Sequence, residues 1–294
     1  TMPRGRVVQA MLDRWYKGVE DERHLEQFLS DLYESDYLNR PPRFDRTVLE
    51  QRLTEKLPLS FESLLRTINC YDAYLDDKTL SFWGEKTSAL IWDWNRLKTI
   101  FNDPYLIILI RDGRAIMSST LAMYSVNNEV DILGFQHHWA DTYNKFCCEA
   151  GRLANDSRVK AVRYEDLISD PSGTLEELCR FVGIEFDDDM LNYFLKHDRF
   201  ASDPHKEIHK LVYHPPVTDR KDRWLMEMRP SLSRITDAHT RKSLEFWKYP
   251  ELPPALKRPN LVVWMETGYY LFCFKIFMVL VYRCGLLRNN DIVR

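Results

Sequence analysis

The chain has 294 residues, of which 45% are hydrophobic and 29% are charged, and its formal net charge at pH 7 is −3. This composition is ordinary for a globular protein of one large or two small domains, and it gives no general case for binding nucleic acid. The six cysteines show neither paired metal spacing nor a disulfide framework, so we expect buried thiols in a reducing, cytoplasmic compartment.

The first part of the chain, from residue 6 to about residue 69, predicts charged amphipathic helices. The earliest of these is predicted over residues 6–17, and prolines at 41–42 interrupt the region. Apolar residues then recur at helical spacing in two sets, which are Leu25, Phe28, Leu29 and Leu32, and Phe61, Leu64, Leu65 and Ile68.

The middle of the chain predicts a strand that runs into an anion-binding turn. Residues 105–110 form an apolar run after a turn signal at 102–104, which is typical of a parallel strand covered on both faces. Arg111 follows directly, and a helix carrying Ser119 comes next. A helix N-terminus and a guanidinium that lie beyond the carboxyl end of a strand favour the binding of an anion. The alternative is that Arg111 pairs with a neighbouring carboxylate.

Further elements flank this strand on both sides. An amphipathic helix is predicted over residues 88–101, and another over 130–153. A second strand is predicted over 158–164. Asp170 then predicts a helix N-cap with proline after it, and Gly183 predicts the end of a helix over residues 174–182.

Three blocks of sequence, in order, resemble a known family. They are FWGEKT at 82–87, IRDGRA at 110–115 and VRYEDL at 162–167, the last followed by Asp-Pro at 170–171. Together they resemble the sulfotransferases that use 3′-phosphoadenosine 5′-phosphosulfate (PAPS), in particular the bacterial-type and tyrosylprotein-type branch. The resemblance covers roughly residues 4–249.

The resemblance implies an α/β fold with a mostly parallel sheet and helices on both faces, the P-loop-like sulfotransferase fold. On this basis residues 1–250 form a sulfotransferase-like domain, and residues 251–294 form a hydrophobic helical extension. Residues 6–69 correspond to a helical cap over the acceptor site in that family. A plain scaffold is the alternative for this region, and the sequence does not separate the two.

The resemblance also implies roles for individual residues. Arg111, Ser119 and Tyr164 would hold the 3′-phosphate end of PAPS, and Lys86 would face the transferring sulfuryl group. A lysine there stabilises charge on the bridging oxygen in the transition state. The alternative for Lys86 is a surface ion pair with Glu85, which contributes little to stability. The alternative for Tyr164 is a side chain that only packs and binds no ligand.

A late basic segment resembles the loop that closes over the 3′-phosphate in this family. Its positive residues are Arg220, Lys221 and Arg223, and the sequence does not decide which of them contacts the phosphate. The alternative is a basic turn that is exposed to solvent and binds no ligand. No metal is expected. His205 and His209 are four residues apart but lack a third ligand at a recognised spacing. The adjacent His137 and His138 are interpreted as packing and surface.

The family's first motif, a strand followed by a loop that cradles the 5′-phosphosulfate, is not found in the sequence. We expect that the chain lacks one βα unit at its N-terminus, about 30 residues. The rival explanation is a shortened and inactive relative. The general base is therefore not assigned.

The predicted function is transfer of a sulfuryl group from PAPS to a hydroxyl or amine acceptor. One alternative is an inactive sulfotransferase-like protein that associates with a membrane. The other is a P-loop kinase-like nucleotide-binding protein, which should show GxxxxGK[ST], a pattern that this sequence lacks.

Residues 261–282 form a long apolar run, interrupted by Glu266 and Lys275. The run approaches the roughly 20 residues that a membrane span needs, but the two charges are costly at mid-bilayer. We therefore expect a helix on a membrane surface or on a partner, with a helix packed on the core as the alternative.

Overall fold

The computed structural model describes residues 7–34, 45–72, 82–84, 86, 88–124, 129–195, 213–215, 217–258 and 260–284. The chain forms two compact units, of which the first comprises Thr1–Leu106 with Lys196–Glu207. The second comprises Ile107–Leu195 with Ile208–Arg294. The predicted break at 41–42 and the pair His205 and His209 lie outside the described residues, as do the side chains of His137 and His138.

The first unit is helical in its described part. Its helices are α1 (Val7–Trp15), α2 (Glu22–Glu34), α3 (Arg46–Thr54), α4 (Phe61–Asp72) and α5 (Trp94–Ile100). The predicted helix over 88–101 is divided, because a 3-10 turn at Ser88–Ile91 precedes α5. The α-helix begins only after Asp93, which occupies the N-cap position without a capping hydrogen bond from its side chain.

The core of the first unit comes from the apolar sets that the sequence indicates. All eight predicted positions are buried: Leu25, Phe28, Leu29, Leu32, Phe61, Leu64, Leu65 and Ile68. Trp15 of α1 lies edge-on to Phe28 with ring centroids 5.5 Å apart, and its indole N–H donates to Asp31 over 2.8 Å. Burial of these faces, rather than helix propensity, holds such short helices in place.

The second unit carries the sheet and the longest helices. Its elements are β1 (Leu106–Ile110), α6 (Gly113–Tyr124), α7 (Glu129–Leu153), β2 (Val159–Arg163), α8 (Tyr164–Ser169), α9 (Pro171–Val182), α10 (Trp224–Glu227), α11 (Pro230–Phe246), α12 (Pro254–Lys257) and α13 (Leu261–Cys284). The described residues are thus mostly helical with a small parallel sheet, and the predicted α/β class is confirmed.

In the described part of the chain the sheet has two strands, β1 beside β2. The side chains of β1 alternate, as a strand requires: Ile108 and Ile110 are buried, whereas Ile107 and Leu109 are 46% and 48% exposed. The expectation that this strand is covered on both faces is therefore wrong. The apolar run is too continuous to reveal which face packs, since both faces carry β-branched or aliphatic residues.

The helix boundaries after β2 follow the predicted capping residues. The Asp170 carboxylate accepts the Gly173 N–H over 3.0 Å, and Pro171 occupies the first turn. Gly183 ends α9 with φ +77°, the left-handed conformation that glycine adopts without a steric cost. The short α8 begins at Tyr164 with no loop after β2, which places this tyrosine at the carboxyl end of the strand.

Helix α11 is the central helix of the second unit and packs against α6, α7 and α13. Tyr270 of α13 is buried against Ile235 of α11, and Arg229 donates to the Tyr270 hydroxyl over 3.3 Å. One face of α13 is therefore part of the core. Within the described part of the chain, none of the helices is long and apolar enough to cross a membrane.

Candidate functional site

The candidate site lies where the two parallel strands of the second unit end. Arg111 follows β1 directly and Tyr164 follows β2, so the sheet brings both side chains to one edge. The Arg111 guanidinium lies over the Tyr164 ring, 4.6 Å from its centroid. A cation over an aromatic face is stabilised by about 0.5–1 kcal/mol at a partly exposed site, which orients the arginine without consuming its N–H donors.

The Arg111 side chain keeps donors for a ligand. Its Nε is buried and has no hydrogen-bond partner among the described residues. The alternative that Arg111 pairs with Asp112 is not observed, because the Asp112 carboxylate instead accepts from Arg114 Nη2 over 2.7 Å. A guanidinium with open donors at a strand end is suited to binding an anion.

Arg114 has a structural role. It is fully buried, and its guanidinium binds Asp112, Asp237 of α11 at 2.9 Å and the Pro250 carbonyl at 2.9 Å. Burial opposes its charge, but the two carboxylates outweigh burial and raise the pKa of Arg114. Its guanidinium also lies over the Trp224 ring at 4.4 Å. Sequence reasoning missed this network, because Asp237 lies more than 100 residues away in the chain.

The two serines of α6 point in different directions. Ser118 is buried, whereas Ser119 is exposed and its hydroxyl has no hydrogen bond to another described residue. Consecutive helical residues are about 100° apart, which accounts for the difference. Of this pair, Ser119 alone offers its hydroxyl to solvent or to a ligand.

The basic segment packs against α8. Its 3-10 turn, Thr218–Lys221, packs against α8, whose first residue is Tyr164. Arg220 and Lys221 are half-buried in this turn. Arg223 is exposed and forms an ion pair with Glu227 at 2.7 Å. Arg220 and Lys221 thus lie in a turn that contacts α8, whereas Arg223 is already paired with Glu227.

Tyr193 is a further member of this cluster that the sequence did not indicate. Its hydroxyl donates to the His214 carbonyl over 3.1 Å, so it fixes the chain just before the basic turn. Burial and the neighbouring Tyr164 raise the pKa of Tyr193, which keeps the hydroxyl protonated. It lies in a 3-10 turn, Tyr193–Leu195, and no motif marks it.

Lys86 belongs to the first unit, whereas Arg111, Ser119, Tyr164 and the basic segment belong to the second. The Lys86 side chain is exposed, and no hydrogen bond or ion pair joins it to another described residue. Glu85, its alternative partner, lies outside the described residues, so the choice between a surface pair and a catalytic lysine stays a prediction.

Part of the chain is similar to known proteins. Residues 4–188 match the sulfotransferase family. Protein-tyrosine sulfotransferase 2 of Gallus gallus is 28% identical over 103 residues, which cover 33% of this chain and 27% of that protein. The chain thus spans about a quarter of the length of this curated relative.

Two solved structures also align with most of the chain. The sulfotransferase domain of the Synechococcus PCC 7002 olefin synthase has a TM-score of 0.49 at 20% identity, covering 86% of this chain and 94% of that one. The sulfotransferase domain of the curacin biosynthetic pathway has a TM-score of 0.48 at 16% identity, covering 86% of this chain and 96% of that one.

Proposed function

The chain belongs to the sulfotransferase family, and we propose that it transfers a sulfuryl group from PAPS to a hydroxyl or amine acceptor. The observation that carries the proposal is the Arg111 guanidinium, held over Tyr164 at a strand end with its Nε unpartnered. Such a group binds the phosphate oxygens of a nucleotide in a charge-assisted, bidentate way.

The proposed donor site combines four further residues with Arg111. Tyr164 orients the guanidinium, Ser119 offers a hydroxyl from α6, and Arg220 and Lys221 add positive charge beside α8. Arg223 is a weaker candidate because Glu227 already engages it. All of these residues would act on the 3′-phosphate, which distinguishes PAPS and its product from other adenine nucleotides.

Sulfuryl transfer resembles phosphoryl transfer in its demands on a protein. Attack is in line, charge spreads over the equatorial oxygens, and positioning with electrostatic stabilisation supplies most of the acceleration. We assign the electrostatic stabilisation to Lys86, because of its position in the FWGEKT block. The acceptor is proposed as a class only.

The donor assignment is tested by nucleotide preference. Because a ligand that binds only the folded state raises stability, 3′,5′-adenosine bisphosphate should raise the melting temperature far more than 5′-AMP does. Arg111→Ala should remove most of this difference. Arg152→Ala is the matched control, since Arg152 is an exposed arginine of α7 paired with Glu149. Equal shifts from the two nucleotides in the wild type would contradict the assignment.

We further propose that α13 binds an anionic lipid surface through its outer face. This face carries large apolar side chains that are each more than half exposed: Leu261, Val262, Trp264, Met265, Tyr269 and Phe272. Basic residues flank the helix in the sequence, with Lys257 and Arg258 before it and Arg288 after it. An apolar face between basic ends supports an interfacial helix.

A further inference from the structure

One peptide group beside Arg111 is held at both ends by side chains from other elements. The Arg111 carbonyl accepts a hydrogen bond from the Tyr143 hydroxyl over 3.1 Å. The next N–H, that of Asp112, donates to Glu165 Oε1 over 3.0 Å. These two atoms belong to the same planar peptide unit, so Tyr143 of α7 and Glu165 of α8 fix its orientation together.

Both side chains are buried and have further contacts that hold them in place. The Tyr143 ring stacks on Trp139 with centroids 5.2 Å apart and 16° between the planes. Glu165 accepts a second hydrogen bond, from the Tyr249 hydroxyl over 2.8 Å. Burial raises the pKa of Tyr143, so its hydroxyl stays protonated and remains a donor. A buried donor or acceptor that loses its hydrogen-bond partner is costly, so these side chains favour one arrangement over others.

Gly113 permits this close approach. A Cβ at this position would lie 3.0 Å from Tyr143 Cε1 and 3.3 Å from Trp139 Cη2. Such contacts are tighter than packed side chains normally make, and the Tyr143 ring is fixed by its stack on Trp139. The glycine after Asp112 thus allows the tyrosine to reach the Arg111 carbonyl.

We propose that Tyr143 and Glu165 are positioning residues for Arg111. They fix the orientation of the peptide unit between Arg111 and Asp112. This in turn fixes the direction in which the Arg111 side chain extends toward the Tyr164 ring and the proposed 3′-phosphate. A flexible arginine loses side-chain entropy on binding, and holding its backbone and ring contact in advance lowers that loss. This inference rests on the proposed binding of a 3′-phosphate by Arg111.

The test uses Tyr143→Phe, which removes one hydroxyl and keeps the ring stack. The Kd for 3′,5′-adenosine bisphosphate, measured by calorimetry well below the melting temperature, should rise about tenfold, equivalent to about 1.4 kcal/mol. Ile235→Val is the matched control: it trims a buried residue of the same unit and should leave Kd unchanged. An unchanged Kd in Tyr143→Phe would overturn the inference.

Glu165 offers a graded comparison. In Glu165→Gln the amide oxygen can still accept the Asp112 N–H and the amide nitrogen can donate to Tyr249, so binding should be largely kept. Glu165→Ala should weaken binding at least as much as Tyr143→Phe, and amide exchange at Asp112 should accelerate without ligand. Equal binding by the alanine and glutamine variants would contradict a positioning role.

A double variant separates positioning from general damage. When Arg111→Ala is already present, Tyr143→Phe should weaken binding no further, because the residue it positions is gone. An equal loss in both backgrounds would mean that Tyr143 acts independently of Arg111. If Arg111→Ala binds like the wild type, the donor assignment itself fails. If only Arg111→Ala weakens binding, the assignment stands and the positioning inference fails.

Discussion

Arg114 lies three residues after Arg111. Its side chain is buried, whereas the side chain of Arg111 lies at the end of the strand. The sequence alone shows two arginines around Asp-Gly and gives no reason to prefer either as a ligand. The structure separates them, because the Asp112 and Asp237 carboxylates both bind Arg114. A buried guanidinium needs such partners to offset its loss of hydration.

Removing the Arg114 guanidinium should therefore destabilise the fold strongly. Arg114→Met leaves two carboxylates without their shared partner, and we expect a loss of about 3–5 kcal/mol in the free energy of unfolding. Chemical denaturation monitored by tryptophan fluorescence checks this. Arg152→Ala removes an exposed pair and should change the same free energy by less than about 0.5 kcal/mol. Equal losses in the two variants would contradict the structural role of Arg114.

Lys86 calls for a kinetic test, since no contact with another described residue assigns its role. If it stabilises charge on the bridging oxygen, Lys86→Ala should lower kcat by about 10²–10³ and leave donor Kd nearly unchanged. Release of 3′,5′-adenosine bisphosphate from PAPS measures turnover, and calorimetry measures donor binding. Weaker donor binding with unchanged kcat would make Lys86 a binding residue only, and no change in either would favour the surface pair.

At the scale of elements, α13 has two apolar faces with different surroundings. Tyr270 and Thr267 are buried, and Tyr270 contacts Ile235 of α11, whereas the opposite side is exposed. Deleting the helix would uncover the α11 core, so deletion does not isolate its outer face. Substitution of exposed residues alone is the cleaner experiment.

Charge on the outer face should prevent lipid binding and leave the fold intact. Met265→Glu combined with Phe272→Glu should abolish sedimentation with vesicles containing phosphatidylserine, while the melting temperature stays within a few degrees. Met226→Glu is the control, because Met226 is 89% exposed on α10. Sedimentation that persists in the double variant would contradict the lipid proposal. If the wild-type protein does not sediment with the vesicles, the outer face of α13 does not bind lipid and the proposal is wrong.

Across the whole molecule, the sequence predicts elements well where a local pattern determines them. The eight buried positions of α2 and α4, the Asp170 cap and the Gly183 terminus all follow from spacing and residue type. The exposed face of β1 could not be predicted, because burial depends on what packs there. The Arg111 and Tyr164 contact was expected only as two ligands of one phosphate, and the ring stacking emerges from the geometry of neighbouring strand ends.

The tertiary links of the site are absent from any local pattern. Tyr143 reaches Arg111 from 32 residues away, and Glu165 reaches Asp112 from 53. Tyr143 lies within a 25-residue helix in which nothing sets it apart from other aromatic residues. Only the fold brings these hydroxyl and carboxylate groups to one peptide plane.

The burial of Arg114 also bears on how descendants of such a protein would diverge. Asp112 and Arg114 are needed for α6 to dock on α11, so selection for folding alone would retain them after enzymatic activity had been lost. Arg111 has no comparable carboxylate partners among the described residues, so it would drift in such a lineage if the proposed nucleotide binding were lost. In a pseudoenzyme lineage the second arginine of the Arg-Asp-Gly-Arg signature would outlast the first. If Arg111 and Tyr164 bind the donor as proposed, their joint presence is the better marker of retained donor binding.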